Sequence, residues 1–163
     1  MKTISFAVAA ATACFSLGAW AAGAADSVSV VDPYVRLAPP GAQATGAFMV
    51  LKNAGDKDVK VVKAENSASK ITELHTHINE NGVMKMRPVP AIDIKAKGEA
   101  VLQPGGLHVM MIDLKEPMKE GDKVAITLDF DDGSSKKVDA TVRKPMPMPA
   151  MPAAADHSEH MKP

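Results

Sequence analysis

The chain has 163 residues, enough for one domain of ordinary size, and its 19 basic and 19 acidic side chains cancel. A neutral balance argues against nucleic acid as a partner, because phosphate binding needs a basic surface. Eleven methionines stand beside one cysteine and only six aromatic residues, so the core must be largely aliphatic and the sulfur is nearly all thioether.

In chain order, the first segment does not belong to the domain. Lys2 supplies a positive start, Ile4 to Leu17 is an apolar run broken only by Ser and Thr, and small residues follow. Ala19-Trp20-Ala21 and Ala22-Gly23-Ala24 both fit a small-x-small cleavage site. Residues 1–24 read as a secretory signal peptide cleaved after Ala24, too short and too rich in small residues for a permanent span. No later stretch reads as a membrane span, so the mature chain is expected to be exported and soluble. Lipidation at Cys14 is disfavoured, because Ala11-Thr12-Ala13 lacks the usual Leu and the apolar run continues past it. Cleavage removes Cys14, and with it any disulfide, thiolate ligand or redox dithiol. It also removes Lys2, which leaves 18 basic against 19 acidic side chains, and it leaves ten methionines.

Val28 to Leu37 reads as a first strand, closed by Ala38-Pro39-Pro40-Gly41, and Ala47 to Lys52 as a second, ended by Asn53-Ala54-Gly55-Asp56. Val59 to Ala64 is a third. Ile71 to Ile78 and Val83 to Val89 flank Asn79-Glu80-Asn81-Gly82, and Asn-Gly between alternating apolar runs is the strongest short-range hairpin signal. Ile92 to Ala96 and Ala100 to Gln103 are short strands, and Pro104-Gly105-Gly106 turns the chain into Leu107 to Leu114, an apolar run expected to be a buried central strand. Val124 to Phe130 and Lys136 to Val142 form a closing hairpin. Turn signals every eight to twelve residues and no sustained helical period predict an all-β fold, an antiparallel β-sandwich with Greek-key connections over residues 25–143. From Lys144 the composition changes. Alternating Met and Pro over 145–152, then His157, His160 and Met161, predict a disordered Met/Pro/His-rich tail over 144–163.

The chemistry-bearing residues lie on two of these segments. His75 and His77 share a strand face, as do Met84 and Met86, and His108 and Met110. A two-residue turn at Asn81-Gly82 puts His77 opposite Met86, whereas a four-residue loop puts His75 there; an odd loop turns Met86 to the wrong face. Imidazole with thioether is a neutral, soft ligand set that selects Cu(I) over hard cations. Taken singly, Met84, Met110 and Met111 would be gap-filling core residues and a lone strand histidine a structural one. Met49 and Met118 carry no partner pattern and are assigned to packing. Same-face parity of three histidines and several methionines in a cysteine-free exported domain points instead to a copper site of His75, Met86, His108 and Met110. His77, Met84, His157, His160 and Met161 are candidates for secondary metal contacts. In the tail, histidine suits Cu(II) and methionine Cu(I), which makes it a candidate copper-collecting arm.

At these residues the sequence resembles the PCuAC family of periplasmic copper(I) chaperones. The family pattern His-x10-Met-x21-His-x-Met is met by His75, Met86, His108 and Met110 without insertion or deletion. Glu73-Leu74-His75-Thr76, Gly82-Val83-Met84-Lys85-Met86-Arg87-Pro88-Val89 and Leu102-Gln103-Pro104-Gly105-Gly106-Leu107-His108-Val109-Met110-Met111 also resemble it, and the likeness spans about residues 28–143. The resemblance implies a cupredoxin-like β-sandwich with one solvent-accessible Cu(I) on two His and two Met. It further implies a monomer in the periplasm, and delivery to the copper subunit of cytochrome c oxidase alongside a Sco-like thioredoxin-fold protein. His77 departs from the pattern, since relatives often carry methionine there; it reads as a competing ligand, a group supporting the ligands, or a Cu(II) contact. The tail resembles Met/His-rich extensions of some relatives that take part in Cu(II) binding.

Three other readings compete with this one. A copper enzyme or electron carrier needs ligands this chain lacks: blue copper requires cysteine, and a histidine brace requires an N-terminal His. A copper storage or tolerance protein uses the same ligands without delivery, and a structural β-sandwich binds no metal at all. On the chaperone reading, protonation of His75 and His108 below about pH 6 weakens metal binding.

Overall fold

The structure, a computed structural model, describes residues 23–145. Residues 1–22 of the signal segment, and the tail from residue 146 with His157, His160 and Met161, lie outside the described residues. The ten expected strands form as β1 (Val28–Arg36), β2 (Ala44–Asn53), β3 (Val59–Asn66), β4 (Ser69–Glu80), β5 (Val83–Pro88), β6 (Ile92–Ile94), β7 (Glu99–Leu102), β8 (His108–Leu114), β9 (Lys123–Phe130) and β10 (Ser135–Arg143). One helical turn, α1 (Ala24–Ser27), precedes them. The Ala24 amide donates to Asp132 Oδ2 at 2.6 Å and the Ala25 amide to Ser134 Oγ at 2.9 Å. Packing therefore begins at Ala24, the last residue the sequence assigned to the signal. No described helix is long and apolar enough to cross a membrane.

The strands run in the order β5-β4-β8-β2-β1-β10-β9-β3-β6, with β7 on β2. The sheet curls until β3 packs back against β4, and one aliphatic cluster fills the space between the two layers. Alternation explains which side chains enter it. On β9, Val124, Ile126, Leu128 and Phe130 are buried while the residues between them are not, the period-2 pattern of a half-buried strand. One pairing departs from the antiparallel expectation: β1 and β10 run parallel, Tyr34 beside Thr141. These are the first and last strands, and the domain between them is the long connection a parallel pair requires.

Two backbone features set the functional face. Between Val31 and Tyr34 the β1–β2 register shifts, with Asp32 at φ 49°. The extra residue reverses the parity of β1, so Val28 points inward before it, Val35 points inward after it, and Tyr34 turns to the outer face. At the β4–β5 hairpin, Asn81 (φ 55°) and Gly82 (φ 82°) form a two-residue turn of the primed kind, with Glu80 beside Val83 and His77 beside Met86. Of the two registers open to the sequence, the shorter loop is the one formed. A Cβ at Gly82 meets no atom within 4 Å, so Gly82→Val is expected to cost only the left-handed backbone strain, about 1–2 kcal/mol, read as a lower urea midpoint with an unchanged slope.

Candidate metal centre

The register brings the distant segments together. On β4, His75 lies directly opposite His108 of β8, and Glu73 opposite Met110. On the other side of β4, His77 lies opposite Met86 of β5. Opposed residues share a face, so His75, His77, Met86, His108 and Met110 project from one side of the sheet. The alternate residues Leu74, Val109 and Met111 project from the other side into the core. Met49 is a core residue and Met118 is packed against the core, as their lack of partners suggested, and Met111 fills the core as well. Met84 shares the outer face, opposite Asn79, but it is 55% exposed near the hairpin end and does not line the cavity that His77 and His108 share.

His77, Met86, His108 and Met110 line one cavity of about 560 Å³, with Arg36, Phe48, Pro104 and Gly105 among its other walls. The His108 ring is the centre of the group. His77 lies 5.2 Å from it, centroid to centroid, and His75 lies edge-on at 5.9 Å. His108 is 2% exposed, whereas Met86, on the edge strand β5, is 41% exposed. The site thus has a buried wall and an open lip.

Hydrogen bonds fix two of the three imidazoles. A carboxylate and a carbonyl can only accept, so Nε2 of His75 donates to Glu73 Oε2 at 2.6 Å and Nδ1 of His108 donates to Gly106 O at 3.0 Å. The lone pairs are then His75 Nδ1 and His108 Nε2. Those two nitrogens, with His77 Nδ1, are the buried side-chain polar atoms without a hydrogen-bond partner among the described residues. Each such orphan costs about 1–3 kcal/mol, and a metal ion is a group that satisfies several at once. Holding the far nitrogen of a ligating histidine with a carboxylate or carbonyl is also how proteins orient metal ligands. Among the described residues, no three His, Cys, Asp or Glu side chains are gathered as a metal site on their own, and the thioethers of Met86 and Met110 stand on the same face as the imidazoles.

Burial holds His108 below the ordinary histidine range, reinforced by the neighbouring His77, His75 and Arg36 and opposed by the Gly106 carbonyl. The ring is therefore neutral at physiological pH, and a proton competes for it only at more acidic pH than an exposed histidine would allow. The sign for stability follows. As pH falls through about 6.5, the unfolded chain takes up a proton that the folded chain refuses at His108. Apparent stability is fully present above that value and declines toward the lower folded pKa. The thermal midpoint of the apo protein is expected to drop between pH 7.5 and 5.5, and to drop less in His108→Gln.

Five supporting residues escaped the sequence reading. Glu73 was visible in principle, two positions from His75 on the same face. Gly46 sits opposite Met110, in a strand whose start the sequence placed later, at Ala47; a Cβ there would come within 3.0 Å of the Phe48 ring and 3.7 Å of His108. Phe48 stacks between Tyr34 (5.2 Å) and His108 (6.0 Å), and Arg36 lies 5.3 Å over the Phe48 ring. Only the β1 bulge brings Tyr34 into this row, and no periodicity marks it.

A curled β-sandwich with imidazoles and thioethers gathered on one outer face defines the class: a small β-domain with a candidate soft-metal centre. The LpqE-like family model matches residues 28–142, and the chain belongs to that family, which is the PCuAC family. It is 37% identical over 120 residues to Lxx21020 of Leifsonia xyli subsp. xyli, a protein with a lipoprotein name, covering 73% of this chain and 71% of that one. It resembles the solution structure of the Cu(I) form of DR1885 from Deinococcus radiodurans, at 38% identity and TM-score 0.59, covering 71% of this chain and 78% of that one. It also resembles the copper-bound PCuAC domain from PmoF2, with TM-score 0.64 over 76% of this chain and 97% of that domain. At 20% identity, this last likeness speaks for the cupredoxin-like β-sandwich alone.

Proposed function

We propose that this chain is a periplasmic copper chaperone. It binds Cu(I) through His75, Met86, His108 and Met110 and passes it to a copper-dependent acceptor, such as the copper centre of cytochrome c oxidase. The observation that carries the reading is the set of orphaned imidazole nitrogens on the same face as two thioethers, beside one cavity. Family membership and the Cu(I) form of DR1885 support it.

The donors suggest how release works. His108 and Met110 sit on β8, between β4 and β2, and form the fixed half of the site. Met86 sits on β5 at the sheet edge, half exposed, and forms the half a partner reaches first. Neutral ligands need no proton to leave a metal, so the acceptor's ligands replace them one at a time, beginning with Met86.

Anaerobic titration with Cu(I), followed by X-ray absorption, tests the reading. One ion per chain with two sulfur and two nitrogen neighbours is expected, and one sulfur fewer in Met110→Ala. A chain that takes up no stoichiometric Cu(I) is not a copper chaperone. The cavity itself is also open to test. Gly46→Val places a branched side chain against Phe48 and His108, where the neighbouring ring must shift. Cu(I) affinity is expected to fall by about tenfold, or about 1.4 kcal/mol, with all four ligands intact, in a competition assay against a chromophoric Cu(I) chelator.

A further inference from the structure

The proposed Cu(I) set leaves one buried imidazole unused. His77 Nδ1 is buried without a partner, as are His75 Nδ1 and His108 Nε2. The rings of His77 and His75 lie 5.2 and 5.9 Å from that of His108. An imidazole nitrogen sits roughly 2 Å from a divalent first-row ion, which sets the centroids of two rings sharing the ion roughly 4.5–6.4 Å apart. Both separations fall in that interval, so one ion beside His108 lies within reach of either neighbour. Glu73 and Gly106 hold the far nitrogens of His75 and His108, whereas His77 is the ring left to turn. The three are not gathered on one point, so rotation of His77 is the adjustment that closes them.

From this geometry we infer that His75, His77 and His108 form a three-imidazole face that binds Cu(II), so that one centre around His108 serves copper in either oxidation state. The inference rests on the Cu(I) reading for the shared ligands His75 and His108. Thioethers select Cu(I), while imidazole also suits Cu(II), and His77 stands directly opposite Met86. An ion that leans toward β5 meets sulfur, and one that leans toward β4 meets a third nitrogen.

The test uses the full chain with His157→Ala and His160→Ala, so that the tail offers no imidazole. Cu(II) titration with pulsed electron paramagnetic resonance is expected to show one ion coupled to three imidazole nitrogens. His77→Met and His77→Gln are each expected to lower Cu(II) affinity at least about tenfold and reduce the nitrogen count to two. Cu(I) affinity in His77→Gln is expected to change less than about threefold. A Cu(II) spectrum indifferent to both substitutions, or no stoichiometric Cu(II) once the tail histidines are gone, overturns the inference while Cu(I) uptake stands. Three-nitrogen Cu(II) binding without Cu(I) uptake overturns the Cu(I) reading instead and leaves the imidazole face in place.

Discussion

His108→Ala is expected to weaken Cu(I) binding by about a thousandfold, or about 4 kcal/mol, the largest loss of any single substitution at the site. Three features set it above the others. Its ring is the one within 6 Å of both other imidazoles and of Phe48. Its tautomer is fixed by the Gly106 carbonyl, which leaves Nε2 as a buried lone pair facing its neighbours. Burial also keeps it uncharged, so little free energy is spent removing a proton before the metal binds. Met110→Ala removes one of the two proposed thioethers from the same strand and is expected to cost somewhat less. Glu73→Gln leaves every ligand in place but replaces the carboxylate behind His75; loss of such support costs roughly 10–100-fold. The ranking His108, then Met110, then Glu73 is the discriminating result, read by competition with a chromophoric Cu(I) chelator. A larger loss for Glu73→Gln than for His108→Ala would mean that His75, and not His108, anchors the ion.

The strands and the shared faces of the candidate donors were legible because both depend on local rules. Alternation marked each strand, Asn81-Gly82 marked the hairpin, and a period of two put His75 with His77, and His108 with Met110, on common faces. What those rules do not reach is which strands become neighbours. That β8 lies between β4 and β2, and so brings His108 to His75, is decided by how the curled sheet closes its core. The spacing matched a family before it could reveal a geometry. The β1 bulge was equally hidden: Asp32-Pro33 interrupts the strand in sequence, but only the paired register shows that one extra residue turns Tyr34 outward beside Phe48. Gly46 was lost for a related reason. Gly in a strand weakens its signal, and here it marks a close approach, the need for space across from Met110 and beside His108.

Phe130→Ala is expected to destabilise the apo domain by about 3–5 kcal/mol, a large part of the roughly 5–15 kcal/mol that holds a domain folded. Phe130 is 2% exposed, ends β9 opposite Val61, and is the one aromatic residue in an otherwise aliphatic core cluster. Phe130→Leu keeps much of the volume and is expected to cost less than half as much. Urea unfolding of the apo forms measures both. Repeating it with Cu(I) separates packing from function, since a ligand that binds only the folded chain raises stability by RT ln(1 + [L]/Kd). Phe130 faces the core and does not line the cavity, so the Cu(I)-induced increment is expected to be the same in Phe130→Ala as in the parent. In His108→Ala that increment is expected to shrink by up to about 4 kcal/mol, the thousandfold loss of affinity. An increment reduced in both would show that the two faces of the sheet are coupled, with β8 transmitting core strain to the donors it carries.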